Sequence, residues 1–98
     1  MISTNLAIIS RVTKESGPYG PYRRWLFKIL AGGVCSKITN VETTKGECAL
    51  LLKKLGAQKP SSQIGKPVYV TYMVNAKGFR EVLDITKSLA EAKESAVD

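Results

Sequence analysis

Thr44-Lys45-Gly46-Glu47-Cys48-Ala49-Leu50-Leu51-Leu52-Lys53-Lys54-Leu55-Gly56 reads as one short, complete helix. Thr44 and Glu47 have the spacing of a capping box, in which hydroxyl and carboxylate satisfy the free amide donors at a helix start. Ala49, Leu50, Leu51, Leu52 and Leu55 follow as an apolar run, and Gly56 stands just past its end as a stop signal. Lys53 and Lys54 fall in the last turn, where the negative end of the helix dipole explains them without any ligand. The spacing predicts a helix over 45–55. Its position decides the fold, because the segments on both sides read as strands.

Upstream, residues 5–15 alternate with period two, placing Leu6, Ile8 and Val12 on one face and Ala7, Arg11 and Thr13 on the other. Ser16-Gly17-Pro18-Tyr19-Gly20-Pro21 breaks that strand as a loop, since each residue before a proline is pushed out of the helical region. Residues 22–31 form a second strand with Trp25, Phe27 and Ile29 on one face and Arg24, Leu26 and Lys28 on the other. Gly32-Gly33 signals a reversal, and residues 34–41 read as a third strand with weaker alternation. Downstream of the helix, residues 58–65 are a Ser-, Pro- and Gly-rich loop, 67–74 a fourth strand, Asn75-Ala76-Lys77-Gly78 a turn, and 79–85 a fifth strand. Tyr69 and Tyr72 lie on opposite faces of the fourth strand, so at most one belongs to the core.

Strand, strand, strand, helix, strand, strand is the element order of the OB-fold. With basic and aromatic residues gathered on the first loop and second strand, residues 5–85 resemble the single-stranded DNA-binding proteins built on that fold. The resemblance implies a mainly β, five-stranded OB-fold-like Greek-key barrel with one helix (about 45–55) between strands three and four. It implies a nucleic-acid-binding domain over 1–86; the rest, 87–98, is Ala-, Glu- and Lys-rich with only Leu89 as a large apolar anchor and reads as a flexible or frayed helical tail. In such barrels strands two and three, with the loops joining strands one to two and four to five, bind oligonucleotides. Size and basic character also resemble the helix-destabilising proteins of filamentous phages, which coat replicated single strands as dimers. Those are nearly all strand, and the helix at 44–56 sets this chain apart from them.

Ninety-eight residues make one domain, large enough to close a core without metal or disulfide. Fifteen Lys plus Arg against eight Asp plus Glu give a net charge of +7, and up to Lys37 the only acid is Glu15. A field of this sign captures polyanions. Apolar runs of four or five residues are far short of the roughly 20 that cross a bilayer. No export signal is read at the start of the chain, and Cys35 and Cys48 lack metal-ligand spacing. Both are expected as reduced, partly buried residues of a cytoplasmic protein, in the host cytoplasm if the chain is viral.

Histidine is absent, the carboxylates are scattered, and no phosphate loop, Rossmann fingerprint or nucleophile elbow occurs. No catalytic residue, metal ligand or cofactor is expected; the protein reads as a binder rather than an enzyme. The informative segment is Gly17-Pro18-Tyr19-Gly20-Pro21-Tyr22-Arg23-Arg24-Trp25-Leu26-Phe27-Lys28, which holds four of the chain's seven aromatics and three cations. Single strands need flat rings for bases and positive charge for phosphates, and each stacked base contributes roughly 1–3 kcal/mol. Tyr19 and Tyr22 are the expected stacking platforms. Arg24 and Lys28 are expected on the solvent side of the second strand, and Arg23 within reach of a phosphate at its loop end. Lys37, Lys77 and Arg80 would extend the track. Trp25 and Phe27, sharing a face with Ile29, are expected in the core.

The expected function is largely sequence-independent binding of single-stranded DNA, coating strands in replication or recombination. RNA binding by the same barrel stays open, as does a basic protein-interaction module or inhibitor. A homodimer is expected because five strands leave edges to bury. The acidic end of the tail could occupy the cationic groove until nucleic acid displaces it.

Overall fold

The computed structural model describes residues 2–88, so the predicted tail lies, from residue 89 onward, outside the described residues. Its elements are β1 (Ile2–Gly17), β2 (Gly20–Ile29), β3 (Val34–Thr39), α1 (Gly46–Leu55), a single 3-10 turn (Pro60–Gln63), β4 (Pro67–Val74) and β5 (Arg80–Thr86). The strands close into a barrel in the order β1-β2-β3-β5-β4. Neighbours pair antiparallel except β3 and β5, which run parallel and meet at Ser36 and Glu81. The fold is therefore mainly β, a five-stranded OB-like barrel with its helix after β3, as the element order predicts.

Closure depends on β1 being long enough to serve two partners. Residues 2–8 pair with β4 and residues 7–17 with β2. The strand turns from one to the other at a bulge, where the β1–β2 register shifts between Ile9 and Arg11. A bulge adds one residue to one strand, bends it and reverses which side chains point inward. It also corrects the reading of this strand: Ala7 and Ile9 are buried, Val12 packs against the core, and Leu6 is exposed. Strict alternation through Ser10 put Leu6, Ile8 and Val12 on one face; the extra residue separates Val12 from the other two.

β2 follows its sequence pattern. Trp25, Phe27 and Ile29 are buried in one cluster with Val68, Val70 and Tyr72 of β4. α1 lies against β3 and β5 and adds Cys48, Leu51, Leu52 and Leu55 to that cluster. Each such side chain, when fully buried, contributes about 1.5–3 kcal/mol. The Trp25 indole N–H donates to Thr39 Oγ1 at 3.0 Å, so the largest core residue buries no unpaired polar atom. Of the two β4 tyrosines, Tyr72 is the buried one, and its hydroxyl accepts a hydrogen bond from Asn5 Nδ2 at 2.8 Å. Both cysteines are free and buried, and burial pushes the Cys35 thiol up.

Two local expectations are corrected. Residues 16–21 are not an irregular loop: pairing runs on through Ser16–Pro21 and Gly17–Gly20, leaving only Pro18 and Tyr19 as the turn. β2 has no β3 partner beyond Arg23, and proline is tolerated on such an unpaired edge. The capping box does not form either. The helix N-cap residue is Lys45, with no side-chain cap bond of its own. Asn40 does that work from eight residues upstream, its Oδ1 accepting the Cys48 N–H at 3.0 Å while its Nδ2 donates to the Lys45 carbonyl at 2.9 Å. Gly56 ends the helix in the left-handed region, its N–H reaching the carbonyls of Leu52 and Lys53, as the stop signal predicts.

Candidate nucleic-acid interface

Cross-strand register lays out the outer face of β1, β2 and β3 as a grid. One row is Thr13, Arg24 and Ile38; the next is Arg11, Leu26 and Ser36; the third is Ile8, Lys28 and Val34. Glu15 and Tyr22 form a fourth row beyond the end of β3. Outward side chains recur about every 6.6 Å along a strand, so Tyr22 and Lys28 stand about 20 Å apart. Arg11, Arg24 and Lys28 thus share a face with one ring and with two exposed aliphatic side chains, Val34 and Ile38.

Tyr19 stands at the tip of the ribbon with its side chain fully in solvent. Tyr22 is half-buried and fixed. Its ring lies over Gly17, where a Cβ would come within 3.1 Å of the ring carbon Cε1, and the Arg24 guanidinium sits 5.8 Å from its centroid. An aromatic ring laid across a cross-strand glycine covers backbone that the glycine leaves bare.

The ring and the guanidinium are held by Glu15. Its carboxylate accepts hydrogen bonds from Arg24 Nε at 2.8 Å, Thr13 Oγ1 at 3.0 Å and the Tyr22 hydroxyl at 3.3 Å. The Arg24 bond, more than the others, holds this carboxyl below its ordinary range. Arg24 in turn is pushed upward, first by its contact with the Tyr22 hydroxyl and then by Glu15. A carboxylate ringed by three donors marks a place on this face where an anionic oxygen fits.

The remaining predicted residues do not join this cluster. Arg23 and Lys37 are on the Trp25 side of the sheet: Arg23 Nε donates to the Val41 carbonyl at 3.0 Å, and Lys37 Nζ is 3.9 Å from Glu47. Arg23 nevertheless faces Lys14 directly across the ribbon. Like charges placed so are unfavourable, and among the described residues no ion pair relieves either one.

Lys77 and Arg80 lie at the opposite end. Arg80 is half-buried, its guanidinium 5.3 Å from the Tyr72 ring and its Nη1 3.4 Å from the Gly32 carbonyl. It approaches Gly33 so closely that a Cβ there would lie 1.9 Å from Nη1. Arg80 therefore ties the β4–β5 turn to the β2–β3 turn, a task that accounts for it without a ligand. Lys77 is exposed in a turn braced by Asn75, whose Oδ1 accepts the N–H groups of Lys77 and Phe79 at 2.9 and 3.0 Å. That bracing displays Phe79, which is 68 % exposed.

Arg11 and Phe79 are the residues that sequence reasoning missed. Arg11 was read on the face opposite Val12, where it stands, but only the β1–β2 register, shifted at the bulge, sets it beside Leu26 in the cationic row. Phe79 looked like the first residue of a strand, and the turn signal just before it was the available hint. No helix among the described residues is long and apolar enough to cross a membrane, and no three of their His, Cys, Asp and Glu side chains gather as a metal site. No protein-family model matches this chain, and no curated protein is recognisably similar to it.

Proposed function

We propose that this protein binds single-stranded DNA without turnover and with little regard to sequence, using the outer face of β1, β2 and β3. The observation that carries the reading is the adjacency of Arg11, Arg24 and Lys28 to Tyr22, Leu26, Val34 and Ile38 on one regular face, with Tyr19 free at its edge. Cations spaced along a strand follow phosphates, while rings and flat aliphatic surface receive unpaired bases. Duplex would present its bases already stacked and withdrawn, so the apolar half of the face would gain nothing from it. Lys77 and Phe79 at the far turn extend the same chemistry to a second edge. Strand coating in replication or recombination, in the cytoplasm, is the role that such binding would serve.

The test is a salt titration of oligothymidine, oligouridine and duplex binding, read by tyrosine fluorescence. Three to five phosphate contacts predict a slope of about −2 to −4 in log K against log salt. Equal or tighter binding to duplex would refute the reading, and a clear preference for oligouridine would move it to RNA, where the 2′-hydroxyl is recognised. A second reading, docking of an acidic protein, draws on the exposed Val34 and Ile38 among the cations. Replacing Arg24 and Lys28 together by alanine separates the two: unchanged oligonucleotide affinity favours the protein partner.

A further inference from the structure

The amino-terminal half of β1 is amphipathic the wrong way round. Its inward positions are Ser3, Asn5, Ala7 and Ile9, while Ile2, Thr4, Leu6 and Ile8 point outward, with Ile2 56 % and Leu6 36 % exposed. The facing positions on β4 are Pro67, Tyr69, Thr71 and Met73, of which Pro67 is exposed, Tyr69 and Met73 are half-buried and Thr71 is buried. None of these outward residues is charged, in a chain where 23 % of residues are. Leu30, 58 % exposed, continues the patch next to Leu6, whose carbonyl accepts its N–H at 3.1 Å. At the centre the one polar pair satisfies itself, Thr4 Oγ1 to Thr71 Oγ1 at 2.9 Å.

We infer that this face, formed by Ile2, Leu6, Ile8, Leu30, Tyr69 and Met73, is where a second copy of the chain docks. Strands normally turn their larger apolar side chains inward; here the barrel interior at Ser3 and Asn5 is polar and the outside is apolar, the arrangement that marks an interaction surface. Nucleic acid is a poor occupant, because the six residues themselves carry no cation and Lys28, across from Ile8, stands only at their margin. A second copy suits it: two chains of +7 charge repel least where neither carries charge, and a two-fold axis sets each apolar row on its equivalent.

Barrel closure removes most of the pairing edges that sequence reasoning invoked for a dimer, so the contact is face to face rather than edge to edge. The inference does not depend on the nucleic-acid reading.

Light scattering on a sizing column, with the full chain loaded near 100 µM, should return twice the chain mass. Leu6→Lys combined with Leu30→Lys should return the single-chain mass with its circular dichroism unchanged, while Leu50→Lys, on the exposed side of α1, should leave the double mass. If the double variant fails to fold, Leu30→Lys alone, at the end of β2, serves, and loss of amide protection in β1 on dilution of the parent gives an independent reading. A single-chain mass for the parent overturns the inference. So does a double mass that survives both substitutions in a folded chain, or a chain that associates only after residues 89–98 are deleted, which would make the tail the occupant.

Discussion

Arg24 Nε lies 2.8 Å from Glu15 Oε2, and the pair stands in the open on the outward face of the ribbon, with Thr13 and Tyr22 completing the carboxylate's shell. Up to Lys37 this is the chain's only acid, and it occupies the guanidinium best placed to meet a phosphate. An exposed ion pair of this kind adds little to stability. Its consequence is for ligand binding, since an incoming phosphate must displace the carboxylate or share Arg24 with it.

Glu15→Gln should therefore tighten oligothymidine binding, by about 3- to 10-fold at ~0.1 M salt, with a steeper salt dependence. The sign of the pH effect follows from the depressed Glu15 carboxyl. The pair contributes stability above the unfolded carboxylate pKa and loses it as pH falls through the lower folded value. In that acid window Glu15 is neutral, and parent and variant should converge in affinity. Titrations at neutral pH and in acid check this, and a gap that stays constant throughout would count against it.

Tyr19 and Phe79 are displayed without packing duty, so replacing either by alanine should leave the melting temperature within a degree or two. Each loss of a stacked base should weaken oligothymidine binding about 5- to 100-fold. Trp25 is wholly buried and cannot stack on a base. Its emission should be blue-shifted, resist acrylamide and change little on binding, with the quenching confined to the tyrosines. Strong tryptophan quenching by oligothymidine would mean that the binding face is not this one.

Asn40→Ala removes the helix cap and should cost about 0.5–2 kcal/mol, lowering the melting temperature by several degrees. Thr44→Ala, at the position the sequence pattern favours, should stay within about 0.5 kcal/mol of the parent because Thr44 is exposed and caps nothing. Thermal melts of the two variants decide between the long-range and the local cap.

Much of this molecule is local. Trp25, Phe27 and Ile29 alternate cleanly and are buried together; the helix ends at Gly56 because glycine alone takes that left-handed turn without strain; and β4 begins and ends where its pattern says. Element order, the face of β2 and the outward positions of Arg24 and Lys28 were therefore legible from the residues alone, because period two and turn chemistry act over a few positions. Tyr19 and Tyr22 were legible as ribbon rings for the same reason, although their loop proved to be paired strand.

What the sequence could not determine depends on partners far along the chain. One extra residue near Ser10 leaves no mark in composition, yet it decides that Ala7 and Ile9 share the inward side with Val12 while Leu6 and Ile8 face out, because β1 must leave β4 to meet β2. Asn40 became the cap only when β3 delivered it to α1, and Arg80 a strut only when β5 came beside Gly33. Closing a barrel brings together residues that no local pattern relates.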